Sequence, residues 1–337
     1  MERKPKRFKD LLNPGKEIRA FGGALSNEFI IPPFSVFDAA SKDWANRRRQ
    51  WGRLDLLKVT GRDLDMSYHT EKILKDLMGT TSDNTSRFDP VLAEVMYTWF
   101  AADEGMVLDP FAGGHVRGIV ACMLGYGYVG IDLSERQVDD NYRRLKEYGG
   151  MGRYPSWLVG DSTRMKKVLV NAPSRQKHPG PGDDTEYGFV FSCPPYFDLE
   201  KYTDNPNDLS NMSWEQFQEN YRQCIWNACS RLADDSFAAF VVGDLRDENG
   251  LLRNLPGVTI EAFQDSGVHF YNDIVMTDPL GSAILRARRN FITGKVSKVH
   301  QYVLVFVKGD PRKAFAKTRA GRLMIKEMAE AKKDKKK

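Results

Sequence analysis

Two short stretches of this 337-residue chain hold residue types that could do chemistry, and each closes an apolar run. In VLDPFAGG, at 107–114, the run ends in the pair Gly113 and Gly114, which lets the backbone approach a ligand with no Cβ in the way. Further on, YVGID at 128–132 ends in Asp132, a strand-end carboxylate of the kind that accepts both hydroxyls of a ribose. Glycine turn and terminal acid together are nucleotide-binding chemistry. The second stretch, FVFSCPPY at 189–196, ends in two prolines and a tyrosine. Prolines have no N–H and a fixed φ, so Pro194 can hold out its carbonyl as an acceptor with little freedom. Tyr196 offers a face on which a base can stack, for roughly 1–3 kcal/mol. Such a bend sets a fixed acceptor beside an aromatic face.

Both stretches read as buried strands that open, at Gly or Pro punctuation, on the carboxyl edge of a parallel sheet, where open α/β sheets bind ligands. The first continues into a helix through Leu124 and the strand at 128–132, completing a βα unit. Further strands are predicted at 157–161 (WLVGD) and 237–244 (FAAFVVGD), with a closing antiparallel pair at 269–277 and 301–308. The run 88–100 is apolar at 91, 92, 95, 96, 99 and 100, a 3.6 period with Pro90 in the first turn, so a helix leads into the first strand. A second helix is predicted over 212–232, with Ser213 and Gln216 as a capping box and Phe217, Tyr221, Ile225 and Ala228 as its buried stripe. The Pro/Gly-rich insert at 171–187 reads as a surface loop, with a lid over the site as the sharper alternative.

Taken together, DPFAGG, GID and SCPPY resemble the cofactor and catalytic loops of S-adenosylmethionine (SAM) dependent amino-methyltransferases of nucleic acids, over 88–309, about two thirds of the chain. The resemblance implies an α/β, Rossmann-like class I SAM methyltransferase fold, with a mostly parallel sheet, a closing antiparallel strand and a small N-terminal extension. It implies SAM held by Asp109, Pro110, Phe111, Ala112, Gly113, Gly114, Asp132, Asp161 and Ser162, and catalysis by Ser192, Cys193, Pro194, Pro195 and Tyr196. The implied reaction is methyl transfer to the exocyclic amine of a flipped base in double-stranded DNA, adenine-N6 slightly ahead of cytosine-N4. A phage-type or restriction-modification setting goes with that reading. An RNA amino-methyltransferase would use the same centre, and a catalytically weak nucleic-acid binder could keep the fold.

Two departures from the family pattern stand out. His115 occupies the place of the last glycine of the cofactor loop. Cys193 stands where Asp, Asn or Ser is usual, and a protonated thiol is a poor acceptor. Ser192 is one residue away and would point to the other side of a regular strand, so the sequence leaves open which of the two meets the amine. A thiolate attack on cytosine C6 is disfavoured, because enzymes of that kind keep the cysteine after a proline.

Upstream, the run 29–37 is broken by Pro32 and Pro33, which cannot sit in a central strand. A helix follows over 38–51, with Asp38 or Ser41 as its N-cap. Trp44 and Trp51 share a face of it and flank Arg47, Arg48 and Arg49; the tryptophans read as core, and the arginines as contacts to DNA phosphates in the sharper alternative. The stretch 280–300 carries Arg286, Arg288, Arg289, Lys295 and Lys298 with no acid, and reads as a loop that touches phosphate.

The net charge of +5 is unevenly spread: residues 1–19 carry +4, residues 311–337 carry +8, and the remainder carries −7. We therefore expect a basic arm (1–28), an extension that could touch DNA (29–85), a catalytic domain (86–310) and a basic tail (311–337). No apolar run reaches the roughly 18 residues of a membrane span, and the first residues lack a secretory h-region. A cytoplasmic protein with no membrane partner and no metal is expected. The four cysteines lack metal-type spacing and read as free thiols.

Overall fold

The computed structural model describes residues 24–54, 56, 88–148, 151–171, 185–197, 203–278, 280 and 283–334. Most of the expected basic arm, much of the extension and most of the insert at 171–187 lie outside these residues. Among the described residues eight strands form one sheet: β1 (Val36–Asp38), β2 (Met106–Asp109), β3 (Gly127–Asp132), β4 (Ser156–Val159), β5 (Tyr187–Ser192), β6 (Leu232–Val242), β7 (His269–Thr277) and β8 (His300–Lys308). Their order is β1-β7-β8-β6-β5-β2-β3-β4, and all pairings are parallel except those of β8 with β6 and β7. The chain runs outward from β2 to β3 and β4, then returns to β5 and β6 on the other side of β2. That reversal makes the carboxyl end of β2 the switch point of a doubly wound, Rossmann-like sheet.

Helices α1 (Ala24–Phe29), α2 (Lys42–Gly52) and α3 (Pro90–Phe100) precede β2. Helices α4 (Val116–Met123), α5 (Glu135–Leu145) and α6 (Met165–Val170) follow β2, β3 and β4, while α7 (Trp214–Arg231) and α8 (Leu255–Asp265) follow β5 and β6. Helix α9 (Ala283–Phe291) lies between β7 and β8, and α10 (Pro311–Lys317) and α11 (Arg319–Asp334) come after β8.

Period-two alternation divides the central strands between two cores. Val107, Phe189, Phe191, Phe237, Ala239 and Val241 join one cluster with residues of α2, α3 and α4. Leu108, Val190, Ala238, Phe240 and Val242 join the other, with residues of α7 and α8. Burial on both faces is what near-continuous apolar strands require. Helix α7 starts at the expected capping box, and its stripe Phe217, Tyr221, Ile225 and Ala228 is fully buried. Helix α3 begins with Pro90 behind the N-cap Asp89, whose side chain accepts from the Val91 N–H.

Three expectations are sharpened and one is corrected. The antiparallel pair β7 and β8 forms as expected, and β1 adds outside β7 with Val36 opposite Val275. The prolines at 32 and 33 keep the upstream run out of the sheet, and only the residues after them reach its edge. Helix α2 is capped by Ser41, whose Oγ accepts from the Trp44 N–H at 3.3 Å, rather than by Asp38. The three arginines of the basic stretch at 280–300 lie on the helix α9 rather than on a loop, and Lys295 and Lys298 follow it. Ala, Leu and Arg are strong helix formers, and the helix stops before Gly294, whose φ of 71° lies in the left-handed region. No described helix is long and apolar enough to cross a membrane.

Candidate active site

The turn after β2 is held by a buried ion pair. Asp109 is fully buried, and its carboxylate accepts from Arg117 Nε at 2.6 Å, Tyr128 Oη at 2.7 Å, Ser192 Oγ at 2.5 Å and the Phe111 N–H at 3.2 Å. Arg117, reaching back from α4, also donates to the Phe111 and Ala112 carbonyls at 2.7 and 2.9 Å. Burial alone would lower the guanidinium's pKa, but Asp109, then Tyr128 and Cys193, hold it above its ordinary value. Asp109 therefore shapes the loop from behind. Arg117 was missed at the sequence level; the signal for it is a lone charge in the otherwise apolar helix VRGIVACM.

Gly113 has a φ of 51°, and a Cβ built on it meets nothing within 4 Å, so its backbone borders open space. Its N–H donates to Asp132 Oδ2 at 2.8 Å, and its carbonyl accepts from Asn141 Nδ2 at 2.8 Å. Gly114 is not in the left-handed region. His115 already has helical backbone at the start of α4, so a third glycine is not required there, and its ring stacks on Tyr148 at 6.4 Å. Asp132, at the end of β3, also accepts from the Ser134 N–H at 2.8 Å. Beyond β4, Asp161 caps a short turn by accepting from the N–H and Oγ1 of Thr163 at 2.8 and 2.7 Å. Ser162 Oγ donates to the Pro110 carbonyl at 2.6 Å, tying this turn to the glycine loop.

At the end of β5 the two candidates for the first motif position separate. Ser192 is fully buried and is spent on Asp109 and the Phe111 N–H. Cys193 turns the other way and lines the cavity described next. Tyr196 is anchored by its hydroxyl, which donates to Gln301 Oε1 on β8 at 2.9 Å and lies 3.7 Å from Cys193 Sγ. The bend ends at Phe197, whose φ of 53° is costly for a bulky residue. Packing against Trp214 and Phe217 at 5.3 and 5.4 Å, with Arg253 4.9 Å above its ring, holds that conformation.

A cavity of about 150 Å³ opens at the switch point. Pro110, Phe111, Gly113, Asp132, Asp161 and Ser162 form one side of its lining, and Cys193 and Pro195 are also on its wall. Asp109, Ala112, Gly114, Ser192, Pro194 and Tyr196 are not among its lining residues. Sequence reasoning missed a further wall, Thr203, Asn207 and Asp208. Asp208 fixes that segment by accepting from the Thr203 N–H and Oγ1 at 2.7 and 2.9 Å. The glycine turn and the double-proline bend thus open into one space.

The basic candidates divide. Arg47 does not face solvent as a phosphate contact would: it forms a two-pronged pair with the buried Glu94, which also accepts from Trp51 Nε1 at 2.8 Å. Trp44 and Trp51 are core, each 1% exposed. Arg48 is half exposed and 3.5 Å from Asp89, and Arg49 folds back on Asn46 and the Ala45 carbonyl. Arg286, Arg288 and Arg289 are exposed on α9. Because β7 runs with β6, the segment leaving β7 emerges at the same edge as the cavity. Lys295 lies against Gly250, and Lys298 sits 4.9 Å over the Tyr302 ring, where burial lowers its pKa.

No protein-family model matches the chain, and no curated protein matches it. Among solved structures it is similar to TrmN from Thermus thermophilus, with 15% identity over 66% of this chain and a TM-score of 0.41; it spans about half, 49%, of that protein. It is also similar to a methyltransferase from Pyrococcus furiosus, with 14% identity over 74% of this chain and 97% of that one, TM-score 0.40. A TehB-like SAM-dependent methyltransferase from Corynebacterium glutamicum matches 78% of this chain and 97% of its own at 15% identity, TM-score 0.35. These are distant likenesses, of fold alone.

Proposed function

We propose that this protein is a SAM-dependent amino-methyltransferase acting on a flipped base of DNA, adenine-N6 ahead of cytosine-N4. The observation that carries this reading is the shared cavity: the glycine turn and the strand-end carboxylates border the same space as the double-proline bend. The residues present fit SAM. Gly113 leaves room where a Cβ would project, and Asp132, at the end of β3, lines the same cavity. The Asp132 carboxylate would hold the ribose hydroxyls, with Asp161 and Ser162 toward the adenine end and Phe111 beside the cofactor. When bound, SAM supplies an electrophilic methyl group.

The chain's own residues would prepare the amine. The Pro194 carbonyl and Cys193 sulfur accept its hydrogens, drawing the nitrogen toward tetrahedral geometry, and the Tyr196 ring stacks the base. Extruding a base costs a few kcal/mol, which stacking of roughly 1–3 kcal/mol substantially offsets. The arginines of α9 would meet phosphates at the same edge. Duplex DNA is the favoured partner, in a cytoplasmic setting of the phage or restriction-modification kind.

Nucleoside analysis of DNA incubated with the protein and SAM tests this reading. The expected product is N6-methyladenine or N4-methylcytosine. Methylation of structured RNA but not of DNA would favour the RNA enzyme, and SAM binding without any transfer would favour the binder.

A further inference from the structure

Cys193 poses a chemical problem, because a neutral thiol accepts hydrogen bonds poorly, yet it is the side chain that the bend turns to the cavity. Behind it runs a chain of polar contacts that reaches β8. Cys193 Sγ lies 3.7 Å from Tyr196 Oη, Tyr196 Oη lies 2.9 Å from Gln301 Oε1 and 3.4 Å from the Val241 carbonyl, and Gln301 Nε2 lies 3.4 Å from Asp278 Oδ1. The direction of every proton in this chain follows from its two ends. Gln301 turns its NH2, which can only donate, to the Asp278 carboxyl oxygen and its carbonyl, which can only accept, to Tyr196. Tyr196 has one hydroxyl proton and two acceptors on the β6–β8 side, so that proton is committed away from the sulfur. Between sulfur and hydroxyl, the thiol must then be the donor.

Resting on the methyl-transfer reading above, we propose that Gln301 is a positioning residue: it orients the Tyr196 hydroxyl so that Cys193 gives its S–H proton backward and faces the cavity as an acceptor. Hydrogen bonds in a chain polarise one another, so donating the thiol proton raises the electron density left on sulfur. The sulfur lone pairs then do for the amine hydrogen what a carboxylate or hydroxyl oxygen does at that position. Gln301 touches neither base nor cofactor in this scheme and acts through Tyr196. Its place on β8, 105 residues beyond Tyr196, explains why no local motif announces it.

The S–H stretching band in the infrared tests the relay without requiring turnover. The Cys193 band is identified by its loss in Cys193→Ser. It is expected to move to higher frequency in Tyr196→Phe, which removes the acceptor, and part of the way in Gln301→Leu, which removes the shorter of the two acceptors that hold the Tyr196 proton away from sulfur. A band unmoved by Tyr196→Phe or by Gln301→Leu overturns the proposal, whether or not the protein methylates anything. The kinetic arm concerns the methyl-transfer link. Gln301→Leu is expected to lower kcat about tenfold with SAM affinity unchanged, the loss of one hydrogen bond's worth of transition-state stabilisation. Adding Cys193→Asp should remove most of that loss, because a carboxylate accepts without help from behind. An equal loss in both backgrounds would show that Gln301 does not act through Cys193.

Discussion

Asp109 and Asp132 end neighbouring strands with the same functional group and do different work because of what surrounds them. Asp109 is sealed in with Arg117, Tyr128 and Ser192, whereas Asp132 takes two backbone N–H groups and lines the cavity. Removing Asp109 would leave Arg117, 5% exposed at its side chain, charged and unpaired. Asp109→Ala should therefore cost about 3–5 kcal/mol in urea unfolding, the usual penalty for orphaning one half of a buried pair. Asp132→Ala should instead weaken SAM binding by about tenfold or more at modest stability cost, read by calorimetry. Tyr196→Ala should do the converse, cutting turnover while sparing SAM affinity, and intact turnover in that variant would misplace the target base. The sequence shows both aspartates at strand ends but cannot show that Arg117 folds back on only one of them. It likewise offers Ser192 and Cys193 as equals; the geometry separates them because Asp109 captures the serine.

At the scale of elements, legibility followed burial. Helix α7, with a capping box and a buried stripe at helical spacing, could be read almost to the residue. Helix α9 could not, since Ile284, Leu285 and Phe291 are 65%, 58% and 68% exposed and no face of it is set against a core. Helix α2 shows the converse limit: three consecutive arginines look like a phosphate-binding run, but Arg47 is consumed by Glu94. The two basic helices should therefore respond differently to substitution. Replacing Arg286, Arg288 and Arg289 together by Ala should lower the slope of log affinity for duplex DNA against log salt by about 3, each lost phosphate contact removing about 0.9. Arg47→Ala should leave that slope unchanged and lower the melting temperature, because Glu94 is then buried without its cation. An unchanged slope for the triple variant, measured across a salt series, would remove α9 from the nucleic-acid surface.

Over the whole molecule, the strand runs were visible in the sequence but their pairing was not: nothing local says that a three-residue β1 should cap the sheet, or that the tail should dock. Arg319 fastens α11 to the body through Asp103 at 3.1 Å and the Leu124 carbonyl at 2.8 Å, with its guanidinium 5.1 Å over Tyr126. The cavity is likewise a property of the assembled sheet, since its walls come from the loops after β2, β3, β4 and β5 and from the segment around Asp208. A ligand seated there touches both sides of the switch point, so its binding energy is available only to the folded chain. Any ligand that binds only the folded state stabilises it by about 2.7 kcal/mol at a hundredfold excess over Kd. SAM should therefore raise the melting temperature of the wild type in a concentration-dependent way. The same concentrations should raise that of Tyr196→Ala equally, because the ring lies outside the cofactor's walls, and that of Asp132→Ala much less. A wild-type melting temperature indifferent to SAM would detach the cofactor from this cavity, and the methyl-transfer reading would go with it.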